Sequence, residues 1–263
     1  MGFAQATARS YRPIEGAVAT VGVSDRVTFL RKTYAHLGVA LIAFAAATAF
    51  MMRYMTGMSL RWAFWGSQGM NWLLVIGLFI GVNIGAQRLA RSETSRGLQY
   101  LGLGLAVIMW SFLIQPMIWV AVLKFGNPEE ILRSDGVHFA LSGQAAAVLG
   151  ESAIITLAIF VGLTVTVFMT RKDFSFMRGI LSICTWAALG MIVASLLFGF
   201  TLGALFSAAM VLLMSGYILY QTTLVMSYFR PTQHVAAALM LFATVVTLFL
   251  YVLDLVTSAN RRR

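Results

Sequence analysis

The chain is predicted to be an all-α membrane protein, a compact bundle of seven transmembrane helices with the last helix near the centre. Three observations carry the membrane class. Of 263 residues, 60% are hydrophobic and 11% charged, where a soluble domain carries about a quarter charged residues. Apolar stretches of ~20 residues recur along it, the length that crosses ~30 Å of hydrocarbon. The basic residues fall in short connections between those stretches, as membrane topology is written. Mean hydropathy is +0.84, so the lipid bilayer is the first expected partner. A net charge of +10 would suggest nucleic acid in a soluble protein. The scattered placement of that charge argues against it, and no nucleic-acid partner is expected.

The seven stretches run Thr33–Met52, Asn71–Gln87, Leu98–Leu123, Ala145–Met169, Gly179–Phe198, Thr201–Phe229 and Val235–Ser258. They define a transmembrane domain over residues 33–258, with a basic N-terminal segment over 1–32 and a basic tail over 259–263. The opening "MGFAQATARSYRPIEG" has no apolar core and does not read as a cleavable signal. In span two, Gly77, Gly81 and Gly85 repeat at spacing four, a small-residue stripe expected to admit a neighbouring helix of the bundle, or else a second copy of the chain. Pro116 is expected to kink span three. Residues Gly179 to Phe229 carry no charge. As one helix they would be ~76 Å long, so the chain must turn, and "FGFTLG" (Phe198 to Gly203) supplies the flexible residues.

Orientation follows the lysines and arginines. Arg9, Arg12, Arg26, Arg31, Lys32, Arg88, Arg91, Arg96, Arg171, Lys172, Arg178 and Arg230 fall on one side. Arg53, Arg61, Lys124 and Arg133 fall on the other. The N-terminus is therefore expected in the cytoplasm. By parity the tail "NRRR" (Asn260 to Arg263) lies outside, unless the last segment dips in and returns. The outer loop Lys124–Gly136 gathers Glu129, Glu130 and Asp135 without the alternation of a calcium loop, and reads as a solvated loop. Cys184 is the single cysteine, which excludes a disulfide framework and a thiolate metal cluster.

Three segments resemble the Bax inhibitor family, also called the transmembrane Bax-inhibitor-motif family. "FLRKTYAHL" (Phe29 to Leu37) is similar to the family's opening, and "FMTRKDFSFM" (Phe168 to Met177) to its Thr-Lys-Lys-Asp-Phe-Ser connection. "GYILYQTT" (Gly216 to Thr223) falls where span six carries Ile-Leu-Tyr-Asp-Thr. The resemblance runs from about Arg26 to the end and looks like that of a bacterial member of the inner membrane. It implies a seven-helix bundle with a short last helix near its centre, and a part in calcium or other cation homeostasis, as a leak or its regulator. In members that leak calcium under pH control, one aspartate on span six and one on span seven share a proton. A second implied reading is a regulatory binding partner of a membrane-anchored ATP-dependent protease, with Met1 to Lys32 as its handle.

This chain departs from the pattern at both aspartates. The span-six position is Gln221. In "ALMLFATVVTLFL" (Ala238 to Leu250) the Asp position is Thr244 and the following Asn position is Thr247. Asp254 lies ten residues on, ~15 Å further along the helix. The expected gate residues are thus Gln221, Thr244 and Thr247, with Asp254 the acid to be tested against them. An intramembrane acid is a functional candidate by default. Asp254, however, would sit ~28 Å along a helix that starts near Val235, and reads as an interfacial carboxylate reaching water, with Arg261 or Arg262 in range. Glu151, in the first turns of span four, is expected to complement a helix N-terminus. His36 and His234 are expected to face water at the cytoplasmic interface, in the range where histidine senses pH. No metal-ligand spacing, nucleophile elbow, Ser/His/Asp set or phosphate loop occurs, so neither an enzyme nor a cofactor is expected.

The orientation is open to cysteine labelling. A Ser175→Cys variant is expected to resist an impermeant thiol reagent in intact cells, and labelling from outside would overturn the topology. A cysteine at Asn260 tests the tail separately, with protection there favouring a re-entrant last segment.

Overall fold

The computed structural model describes residues 16–66, 69–92, 95–126, 141–170 and 172–260. Within them the chain is all helical: α1 (Val23–Tyr54), α2 (Thr56–Gly66), α3 (Gly69–Ala90), α4 (Arg96–Leu113), α5 (Gln115–Phe125), α6 (Gly143–Thr170), α7 (Arg178–Phe198), α8 (Ala204–Ser227) and α9 (His234–Ala259). Short 3-10 turns lie at Val18–Thr20 and Ser175–Met177. Each of the seven predicted apolar stretches falls in this set. Six helical segments are long and apolar enough to cross a bilayer: α1, α4 with α5, α6, α7 with its preceding turn, α8 and α9. The apolar part of α3, Leu74–Ala90, is shorter, so length and composition give six candidate crossings among the described residues, one fewer than the seven expected.

The helix ends have local causes. Pro116 lacks the N–H that would reach the Phe112 carbonyl four residues back, and proline breaks a helix at that point. The chain divides there into α4 and α5, and Trp62 Nε1 donates to the released Phe112 carbonyl at 2.8 Å. Gly199 takes φ +74° to end α7, a left-handed cap that glycine adopts without a Cβ penalty, and the predicted hairpin follows. Ser142 receives the N–H of Ala145 at 3.1 Å and donates to the Phe125 carbonyl at 2.9 Å. It caps α6 and ties it to the end of α5. Asp173 accepts the Ser175 N–H at 2.8 Å and so starts the turn into α7.

α9 occupies the axis. It packs on α1, α3, α4, α5, α6 and α8, and is buried on all sides over Val235–Leu239 and again at Leu241, Phe242, Val245, Val246 and Leu248. A helix apolar all round belongs in a core. At 26 residues this central helix is not short. α1 begins at Val23, well before the first predicted span, so Arg26, Arg31 and Lys32 lie on its opening turns. Ala17 and Val18 are fully buried, and the Val18 N–H donates to the Phe229 carbonyl at 3.0 Å. Ala17, Val18 and Phe29 thereby tie this stretch to the bundle, while most other side chains over residues 16–32 are exposed. Arg9, Arg12, Arg133, Arg171, the acids Glu129, Glu130 and Asp135, and Arg261 to Arg263 lie outside the described residues.

Packing through Gly77, Gly81 and Gly85 is not what joins α3 to the bundle. A Cβ on any of them would meet nothing within 4 Å. The α3 face turned to α4 carries Phe79, Ala86 and Ala90 instead, with Phe79 and Trp110 in edge contact at 4.6 Å. The close approach is made by Gly102 of α4, where a Cβ would stand 2.6 Å from the Ala86 carbonyl and 2.8 Å from the Ala90 nitrogen. Small residues do bring these backbones together; the alanines of α3 and the glycine of α4 supply them. Gly102→Ala is expected to lose ~1–3 kcal/mol, the usual cost of overpacking a filled core. Gly81→Ala should be near neutral. Unfolding of the purified protein in detergent checks both, and equal losses would refute the assignment.

Candidate functional site

Gln221 of α8 and Thr244 of α9 meet inside the bundle. Thr244 Oγ1 donates to Gln221 Oε1 at 2.8 Å and has a longer contact, 3.4 Å, to its own helix at Met240. Thr244 is buried and Gln221 half-buried. Thr247, one turn on, donates back to the Ala243 carbonyl at 2.8 Å and makes no bond to another helix among the described residues. The pair therefore consists of one hydroxyl and one amide, both neutral at any accessible pH. Beside it on α8, Thr222 is fully buried. Its hydroxyl lies near those of Tyr34 on α1 and Thr164 on α6, yet none of the three is in hydrogen-bond geometry with a described residue. Buried polar oxygens of this kind are usually satisfied by ordered water.

Asp254 is not brought to this pair. It is half-buried near the far end of α9, where Ser207 of α8 donates to its Oδ2 at 2.5 Å. The bundle rather than open water holds it, and the expected arginines of the tail lie outside the described residues. At the same end Lys124 donates to the Thr257 carbonyl at 2.7 Å, capping one of the last carbonyls of α9. Glu151 also departs from expectation. α6 starts at Gly143 and has no acid in its first turn, so Glu151 lies ~12 Å into the helix on an exposed face. The macrodipole acts only within the terminal turn and does not account for it.

The opposite end holds a contact that neither histidine announced. The rings of His36 on α1 and His234 on α9 are 5.0 Å apart, and His36 stacks on Tyr100 of α4 at 5.6 Å. His36 Nδ1 donates to the Lys32 carbonyl at 2.7 Å, leaving Nε2 to receive the Tyr100 hydroxyl at 3.2 Å. These two histidines join three helices instead of facing water separately. A second buried polar cluster links α2 to α5: Trp119 Nε1 donates to Ser59 Oγ at 2.7 Å, and Ser59 donates to Gln115 Oε1 at 2.7 Å. Gln115 Nε2 turns to the Met51 sulfur at 3.8 Å. All three polar side chains are essentially inaccessible. The nearest signal in the sequence was Gln115, a polar residue inside an otherwise apolar run.

Comparison with known proteins now bears on this geometry. The family described as "Inhibitor of apoptosis-promoting Bax1" matches residues 134–261, which include both partners of the α8–α9 pair. The similarity to Bax inhibitor 1 of Schizosaccharomyces pombe is 25% identity over 243 residues, 90% of this chain and 79% of that protein. The chain belongs to the Bax inhibitor family. Other relatives include the Golgi anti-apoptotic protein of Vaccinia virus strain Lister, 25% identical over 94% of this chain and 92% of the relative. Protein lifeguard 4 of Mus musculus is 26% identical over 43% of this chain and 48% of its own length.

In this family member, helices eight and nine meet through a neutral hydrogen bond. Interhelical bonds of this type contribute ~0.6–2 kcal/mol in a membrane. Gln221→Leu and Thr244→Val are each expected to lose about that much, and the double variant no more than either one. Additive losses in an unfolding double-mutant cycle would show that the two side chains do not interact.

Proposed function

We propose that this protein is a seven-span member of the Bax inhibitor family with a part in calcium or other cation homeostasis, as a leak or its regulator, and without a titrating gate. The supporting observation is the Gln221–Thr244 bond. Two carboxylates a few ångströms apart cannot both ionise cheaply, so one of them keeps its proton and the pair titrates as a unit. An amide and a hydroxyl in their place cannot change charge. The contact then holds α8 against α9 equally well across the physiological range, and the bundle stays closed or rigid whatever the pH.

The same reading places α3 across the bilayer. Its 22 residues span ~33 Å at 1.5 Å each, which suffices for a thickness of ~30 Å. Lys32, Arg88 and Arg96 on their helices and Lys172 and Arg230 in the connections then share the cytoplasmic side of a bacterial inner membrane. In this reading the protein acts without catalysis: the Gln221–Thr244 pair offers a hydroxyl and an amide but no base.

Protein reconstituted in liposomes with a trapped calcium indicator tests this proposal. Little flux is expected between about pH 6 and 8, with no steep dependence, because no paired acid titrates there. Gln221→Asp combined with Thr244→Asp is expected to introduce a pH-dependent step. Asp254→Asn should leave the flux unchanged. A steep pH response in the unmodified protein that disappears with Asp254→Asn would contradict the proposal and move the gate to the far end of α9.

A further inference from the structure

Between α3, α4, α7, α8 and α9 lies a cavity of about 540 Å³, within the range of small-molecule sites. Its walls are largely hydrocarbon, with Phe79 and Ile80 from α3, Ile192 from α7, and Met210, Leu213 and Met214 from α8. Asp254 also lines it, together with its donor Ser207 and with Tyr251. A carboxylate offers about four acceptor positions, and the described residues fill one of them. No described residue forms an ion pair with it. A charge in such surroundings is normally paired, and an acid inside a membrane bundle normally faces its partner or its substrate. Trp110 lines the same cavity beside Phe79.

The route in is indicated by α7. Ile183, Trp186 and Leu197 are 62–71% exposed, so most of that helix faces hydrocarbon, and the wall it forms separates the cavity from lipid rather than from water. A ligand arriving there must be soluble in the bilayer. It must also present a cationic donor to Asp254. We propose that this cavity binds a single-chain amphiphile carrying a primary ammonium group, with its chain along Phe79, Leu213 and Met214 and its ammonium on Asp254 beside Ser207. An ammonium brings three donors and no acceptor, and its bond to a carboxylate is charge-assisted. A fatty acid would meet the Asp254 charge and be repelled, while an alcohol of the same chain would fill the walls without the ion pair. The site does not depend on the cation-homeostasis reading: neither Gln221 nor Thr244 lines it, and Thr247, which does, bonds only to its own helix among the described residues.

The experiment uses the full chain in phosphatidylcholine nanodiscs and a long-chain amine bearing a diazirine in its chain, with the corresponding alcohol and fatty acid as companions. Photolabelling mapped by mass spectrometry should fall on α7, α8 and α9, with the amine labelling at least about tenfold more than the alcohol or the acid at equal membrane concentration. Asp254→Asn should reduce the amine to the level of the alcohol, Asp254→Glu should keep the preference, and Leu213→Trp should exclude amine and alcohol alike. Size-exclusion elution of each variant confirms that it is folded. Equal labelling by amine and alcohol in the unmodified protein would overturn the proposal and leave a crevice filled by lipid chains. So would an amine preference that survives Asp254→Asn in a folded variant, because the acid would then not be the recognition group.

Discussion

The arrangement of this protein follows from one constraint: the first half of α9 is buried on nearly every side, so the polar groups it carries there call for a partner on a neighbouring helix. The cost of leaving a buried polar group unpaired is a few kcal/mol, large against the ~0.6–2 kcal/mol that an interhelical bond contributes. α9 meets the constraint by carrying little polarity. Thr247 turns back on its own helix, Thr244 finds Gln221, and Asp254 finds Ser207 near the end. Ala236, Ala237 and Ala238 add buried surface without polarity, on a helix that packs on α1, α6 and α8. Replacing a charged pair by a neutral one is consistent with this economy, since ionised groups at that depth would need either a shared proton or a cation.

The same rule explains what surrounds the axis. The break at Pro116 frees the Phe112 carbonyl, and Trp62 of α2 reaches it. Ser59, Gln115 and Trp119 then form a closed cluster beside the break, so the kink is sealed rather than solvated. α2 has no need to cross the bilayer to do this; it donates to α4 through Trp62 and to α5 through Ser59. The rule is not met everywhere among the described residues: Tyr34, Thr164 and Thr222 around the axis, and His234 and Thr257 on α9 itself, keep buried polar atoms without a partner, and such atoms are usually satisfied by ordered water.

Much of the architecture was legible because hydrophobic length is a strong signal. The apolar stretches, the break at Pro116 and the turn at Gly199 each follow from a local rule that little else in the chain overrides. The pairing of Gln221 with Thr244 was legible through family register, since the positions are 23 residues apart and nothing in their spacing alone joins them. Features that depend on helix rotation were not legible. Gly77, Gly81 and Gly85 form a stripe in sequence, but which face of α3 meets α4 is decided by Gly102, Ala86 and Ala90 together. His36 and His234 lie on different helices, and only the placement of α9 against α1 brings their rings together. Asp254 was placed correctly along the helix. Its partner Ser207 was missed because a serine in an apolar helix carries no mark of its orientation.

The central claim, that the contact between α8 and α9 is neutral and indifferent to pH, is tested most directly by the methyl resonance of Thr244 in protein labelled with carbon-13 methyl groups and followed from about pH 6 to 8. The account predicts a constant chemical shift across that range and a displaced one in Gln221→Leu, because the hydroxyl then loses its acceptor. A sigmoidal shift of Thr244 with pH in the unmodified protein would contradict it, since an ionising group would then be acting on the contact.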